Sequence, residues 1–444
     1  MSSSEKTNQN KLAGASVIAA GAAMAAKAAY AKGSGKIRIG LLGCGGRGNG
    51  ALRQCLQADD GVELVALADL FESKVRNTRN GIANDGKFKD RVKVNDDHMF
   101  WGFDCHEKLA KCEADLLLMA TAPAFRGRQM LAAVNAGKHI FTEKPVATDP
   151  AGCRQVMEAS RIAKEKGLAI VCGTQRRHEF SRVELMKRIH DGAIGELVGG
   201  QCYWYGGGIW YRDNTGGMSE LEWQCENWYH FDWLSGDQIC EQHIHNIDVM
   251  NWCFDGPPVK ISALGGRGCR DYSDQAKKVC RHYNNGGEEG WEKYNGNIWD
   301  HIYAEFEYAN GAKCLSFSGH GPGTGRGDEK IVGTKGISNC NRSYSDHSGK
   351  RLWQFEGQNV DGMQQEHNDL IASIRAGEPL NEGQRIAEST LTAIGARMSA
   401  YTGRSLSWKW LVNASKLDIV PPQEQMKNGP GLFRAIANGH EPLV

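Results

Sequence analysis

The chain has 444 residues, 41% hydrophobic and 24% charged, with a formal net charge of +1. That length exceeds one hydrophobic core and suits two domains. The near-neutral charge excludes an electrostatic footprint for nucleic acid or an anionic membrane surface. Fourteen cysteines lie scattered with no C-x-x-C pair, so a structural zinc site is not expected. They read as free, mostly buried thiols, with room for one or two disulfides.

Residues 1–35 differ from everything after them. A polar, lysine-containing start leads into a small, alanine-rich apolar stretch, and Ala29–Tyr30–Ala31 has the A-x-A form of a signal-peptidase site. The stretch carries Lys27 and is too weakly apolar for a membrane span. No twin arginine precedes it. The reading is an export leader that places the mature chain in a periplasm or outside the cell, without a membrane anchor. The competing reading is a disordered leader on a cytoplasmic protein.

The first predicted strand runs through "KIRIGLL" into Gly43-x-Gly45-x-x-Gly48, and "NGALRQCLQ" opens a helix. Glycines at this spacing give a tight turn, close approach to a pyrophosphate and close helix–strand packing, while the helix N-terminus faces the phosphates. The second strand, "VELVALAD", ends in Asp69, where a carboxylate can accept from a ribose 2′-hydroxyl and repel a 2′-phosphate. That favours NAD over NADP. Arg47, in the phosphate turn, argues mildly the other way. The runs at 114–123, 139–145 and 168–175, with helices between them, complete a doubly wound parallel sheet. This gives a Rossmann domain over 36–172.

Residues 173–444 form a second α/β domain. Strand patterns fall at "GGQCYWYGG", "KISALGG", "WDHIYAEFEYANGAKCLSFSG" and "GDEKIVGTK", and helices near 366–377 and 384–401 pack at the domain junction. Residues 266–298, glycine-rich and mixed in charge, read as a lid or an oligomer arm. Trp204, Trp210, Trp223, Trp228 and Trp233 crowd 203–235, suiting either sugar faces or a dimer contact. The segment "CEQHIHNIDVMNW" holds Glu241, His243, His245 and Asp248. On a helix Glu241 and His245 share a face as an acid/base pair. In an extended segment Glu241, His243 and His245 would suit a metal instead.

"AGKHIFTEKPVATDP", together with the glycine turn, "GAIGEL", "HNID" and "EHNDLIASIRAGEPL…SAYTGRSLSW", resembles the Gfo/Idh/MocA oxidoreductases over nearly all of 36–410. The resemblance implies a Rossmann domain, then a domain on a large, mostly antiparallel sheet, an active site between them, and a homo-oligomer. It assigns Lys144, His245 and Glu241 to catalysis and no metal. It assigns Gly43, Gly45, Gly46, Arg47, Gly48, Asp69, Thr121, Pro123, Glu143, Lys144 and Gln175 to the NAD site. Lys144, Arg177, Trp210, Tyr211, His243 and His245 fall on the substrate side, facing a sugar, polyol or glycoside. Two positions depart from the family pattern: Glu241 stands where Asp is usual, and Arg126 stands where a His is common. The implied activity is hydride transfer at a carbinol. An NAD-recycling glycosidase and a catalytically idle NAD-binding protein are the alternatives.

Overall fold

The computed structural model describes residues 35–207, 209–210, 212, 217–268, 296–321 and 325–428. The leader up to residue 34, Tyr211 and residues 269–295 of the expected lid or arm lie outside the described residues. All twelve cysteines within them are free thiols.

The first sheet contains β1 (Ile37–Leu42), β2 (Val62–Asp69), β3 (Met99–Trp101), β4 (Leu116–Met119), β5 (His139–Thr142) and β6 (Ile170–Cys172). They pair in the order β3-β2-β1-β4-β5-β6, every pair parallel. The central strands are apolar runs because helices cover both faces. Leu116, Leu117, Leu118 and Met119 of β4 are all buried. Local signals set the connections. Asp149 Oδ1 accepts from the Gly152 N–H at 2.7 Å and Pro150 opens the helix Pro150–Lys166, which stops at left-handed Gly167.

The second sheet has nine strands: β7 (Leu197–Gly206), β8 (Lys260–Gly266), β9 (His301–Glu307), β10 (Lys313–His320), β11 (Arg326–Gly333), β12 (Ile337–Ser338), β13 (Ser343–Ser345), β14 (Arg351–Gln354) and β15 (Leu406–Ser407). Their order is β14-β13-β12-β11-β7-β10-β9-β8-β15, antiparallel except for the β7–β10 pair. One face packs on the helix Ile244–Cys253 through Cys202, Ile247, Met250, Cys314 and Ile331. The other leaves Leu264 72%, Tyr303 44% and Leu315 41% exposed.

The two C-terminal helices divide the junction between them. Gly383–Thr402 contributes Ile386 and Ala387 to the core of the first domain and Leu391 and Ile394 to that of the second. Gly362–Ala376, assigned from sequence to the second domain, packs Leu370, Ile371 and Ile374 into the core of the first, against the helix Gly46–Ala58 and β6. The first core is therefore closed by a segment that returns from the end of the chain.

Candidate active site

The glycine turn has the three separate functions that its spacing implies. Gly43 sits at φ +97°, and a Cβ there would lie 2.7 Å from the Ala120 backbone at the end of β4. A Cβ on Gly48 would lie 1.8 Å from the Gly43 carbonyl oxygen, so the helix Gly46–Ala58 approaches β1 this closely only with glycine. At Gly45 and Gly46 an added Cβ meets nothing within 4 Å, leaving the approach to the helix end open. Gly45 is the N-cap and supplies no side-chain bond, and the positive end of the helix faces that space. Asp69 ends β2, with Oδ2 accepting from the Cys44 N–H at 2.7 Å and Oδ1 from the Phe71 N–H at 3.0 Å. Two oxygens offer about four lone-pair positions, so capacity remains for a ribose hydroxyl. Burial raises the Asp69 pKa against those backbone bonds and the nearby Lys74.

Gly43, Gly45 and Asp69 line one cleft with Thr121, Ala122, Gln129, Phe103 and Trp228. Thr121 donates to Gln129 Oε1 at 2.6 Å, and Pro123 opens the helix Pro123–Asn135. The open turn, the buried acceptor and the partly apolar wall fit a dinucleotide.

The candidate catalytic groups, Lys144, Glu241 and His245, meet beyond β5. Lys144 Nζ donates to the Glu241 carbonyl oxygen at 2.6 Å and to Glu241 Oε1 at 3.0 Å. An ammonium has three donors, so one stays available for a substrate oxygen. The Glu241–His245 segment is neither one continuous helix nor extended, but two helices. Asp237–Glu241 ends, and Ile244–Cys253 begins after Gln242 and His243. The His245 N–H goes to the Gln242 carbonyl, which leaves the Glu241 carbonyl, at a helix C-terminus, for a cation. Burial raises the Glu241 pKa, opposed by Lys144 and Arg126, and Oε2 has no partner. His245 is 8% exposed, with Nδ1 unpartnered and its ring 6.3 Å from Trp204. Burial, with Lys144 and Arg176, holds its pKa well below the usual value, so the imidazole is neutral at pH 7.

Other expected site residues are engaged elsewhere. His243 is fully buried, with Nε2 on Ser316 Oγ at 2.7 Å and the Cys202 thiol nearby. It fastens its segment to the second sheet and is not on a substrate face; it also does not share a metal-binding face with His245. Arg177 is locked on Asp248 at 2.8 and 3.0 Å, because that buried carboxylate needs its charge and that of Arg385. Arg47 pairs with Glu143 and, at 3.1 Å, with Glu366, two buried carboxylates, and is not turned over the glycine turn. The Glu143 carboxylate lies against Gly173, where a Cβ would come within 2.6 Å, and accepts from the Lys144 N–H at 3.2 Å. Gln175 opens the short 3-10 turn Gln175–His178 after β6.

Arg126, fully buried, donates to the Pro145 and Thr121 carbonyls, tying together the loops after β4 and β5. Trp223 and Trp233 are core residues, whereas Trp210 is 40% exposed and packs edge-on against Trp228.

Two family models match the chain. "Oxidoreductase family, NAD-binding Rossmann fold" covers residues 37–173, and the Gfo/Idh/MocA C-terminal domain covers 183–338. The chain belongs to the Gfo/Idh/MocA family. Among curated relatives, an inositol 2-dehydrogenase from Acidothermus cellulolyticus is 25% identical over 52% of this chain and 57% of its own length. A glycosyl hydrolase family 109 protein from Solibacter usitatus is 27% identical over 46% of this chain and 44% of its own. The matched stretches thus span about half the length of these relatives. The WlbA dehydrogenase from Bordetella pertussis, solved with NADH and UDP-GlcNAcA, shares the fold. Its TM-score is 0.60 at 19% identity, covering 84% of this chain and 98% of that one.

Several residues of this Gfo/Idh/MocA site escaped the sequence reading. Lys74, Cys225, Gln423 and Met426 line the dinucleotide cleft, and Glu366 and His367 lie buried behind Arg47 and Phe141. Only "EHNDL" carried a signal, through the family resemblance. The others reach the cleft from separate elements, and no spacing rule connects them.

Proposed function

We propose that this protein is an NAD-dependent oxidoreductase acting on a ring carbinol of a cyclic polyol, sugar or glycoside. The observation that carries the reading is Lys144, held by the Glu241 carbonyl and carboxylate beside a neutral, partly unpartnered His245. Bound NAD supplies the hydride acceptor. Lys144 directs its remaining N–H at the reacting oxygen and stabilises negative charge there. His245, neutral at pH 7, takes the hydroxyl proton. Glu241 fixes the Lys144 ammonium, and Arg126 holds the loops that carry Thr121 and Pro145 in register.

A second reading is an NAD-recycling glycosidase, in which oxidation at one carbon acidifies its neighbour before elimination, addition and re-reduction. The similarity to a family 109 glycosyl hydrolase favours it. So does the contribution of Trp228, Gln423 and Met426, from beyond the first domain, to the lining of the cleft, which adds contacts to a retained cofactor. The exposed apolar face of the second sheet suits a homo-oligomer, and the leader suits export.

Incubation with NAD and a panel of inositols, sugars and aryl glycosides separates the readings. Net absorbance at 340 nm supports the dehydrogenase, and sugar release without it supports the cycle. Neither, across the panel, favours an idle binding protein.

A further inference from the structure

The ribose end of the cleft carries an ion pair that neither the glycine turn nor Asp69 requires. Lys74, in the first turn of the helix Glu72–Ala83, lines the cleft beside Asp69. Its ammonium is engaged by Glu226 Oε2, while Glu226 Oε1 takes Arg212. Glu226 ends the helix Glu220–Glu226, in the excursion that follows β7, so the second domain reaches across to hold a cation of the first. The Glu226 carboxylate is buried, and Lys74 and Glu226 act on Asp69 with opposite signs.

We propose that Glu226 is a specificity-determining residue for the cofactor, acting through Lys74 to exclude a 2′-phosphate. A lysine beside the ribose acceptor is the kind of group that would bind the phosphate of NADP. Here its ammonium is already engaged by Glu226. A 2′-phosphate, with about two negative charges, would meet the carboxylates of Asp69 and Glu226 together. A 2′-hydroxyl is neutral and donates to Asp69 without this penalty. Selectivity for NAD thus has a direct layer, Asp69, and an indirect one supplied by the second domain. The inference rests on the dinucleotide site and not on the choice of substrate.

The test is binding of NADH and NADPH to the full chain, read by calorimetry and by quenching of tryptophan fluorescence, with Trp228 in the cleft wall. ADP and adenosine 2′,5′-bisphosphate serve as fragment probes. Glu226→Gln keeps the shape, removes the charge and frees Lys74. NADPH should bind about tenfold more tightly, as for one gained charge-assisted hydrogen bond, while NADH changes by less than about threefold. Adding Lys74→Met should cancel the gain, and Glu226→Asp, which keeps the charge, should stay near the wild-type ratio. Lys74→Met alone, which leaves Asp69 and Glu226 facing a 2′-phosphate without this cation, should weaken NADPH further relative to NADH. A ratio unaltered there, or moved toward NADPH, overturns the proposal in the case in which Glu226→Gln fails to fold. An unaltered ratio in folded Glu226→Gln, or a shift that persists without Lys74, overturns the proposal. A wild-type protein that binds neither coenzyme overturns the dinucleotide site itself, a result distinct from an unaltered ratio.

Discussion

Replacing Lys144 by Met keeps most of the side-chain stem and removes only the ammonium. Two donors are lost, at 2.6 and 3.0 Å from Glu241, together with the one left for substrate. Glu241 would then be a buried carboxylate without its main counter-charge, but burial already raises its pKa. The carboxyl therefore takes up a proton instead of remaining charged, which limits the stability loss to about 1–3 kcal/mol, the cost of unsatisfied buried polar groups. In a domain of this size that is a fall of several degrees in Tm. The chemical loss is larger. Removing a group that orients and stabilises the reacting oxygen costs about 10²- to 10⁴-fold in kcat/KM, or roughly 3–5 kcal/mol of barrier. The assay is steady-state kinetics on the best substrate of the panel, with NADH affinity and Tm measured on the same preparation. A large drop in kcat/KM with near-normal NADH binding is expected. A folded variant within about threefold of wild type would refute the assignment, as would a loss accounted for entirely by weaker NADH binding.

Further outcomes follow from the same geometry. His245→Gln should lower kcat by about 10²-fold or more. In the wild type the rate of alcohol oxidation should fall only as pH drops through the depressed pKa of His245, below the ordinary histidine range, because protonation there removes the base. Lys144→Met should move that acid limb to higher pH, since the lysine is one cause of the depression. Gly48→Ala places a Cβ 1.8 Å from a backbone oxygen that cannot give way, so NADH binding should fall at least about tenfold, with loss of stability of roughly 1–3 kcal/mol from overpacking. Calorimetry and thermal melts check both.

Most of the first domain was readable because five of its six strands are apolar runs with helix signals between them, and because the glycine turn and Asp69 lie on consecutive elements. The three-residue β3, Met99–Trp101, is too short to carry such a signal. Lys144 was readable from its motif. The Glu241–His245 pair was identified, but not its backbone. Spacing alone suggested one helix, whereas the break at Gln242–His243 is what leaves the Glu241 carbonyl for Lys144. Arg47 and Arg177 were expected on the cofactor and substrate sides, yet each balances a buried carboxylate whose presence depends on distant packing. His243 is indistinguishable from His245 by residue type, and only its contact with Ser316 on β10 separates structure from chemistry. Glu226 meets Lys74 across 152 residues of chain, a separation that no local pattern spans. The short strands β12 to β15 lack a sustained alternation and form because an existing sheet edge pairs with them.

The central claim is that hydride passes between a substrate carbinol and NAD under the control of Lys144, in a dehydrogenase and a recycling glycosidase alike. Substrate deuterated at the candidate carbinol carbon, mixed with protein and NAD, tests it by mass analysis of the recovered cofactor and product. The account predicts deuterium in the reduced cofactor, or isotope exchange through it into product, in the wild type. It predicts that both are slowed by about 10²- to 10⁴-fold in Lys144→Met that still binds NADH. Sugar or polyol turnover in which no deuterium ever passes through the cofactor would contradict it.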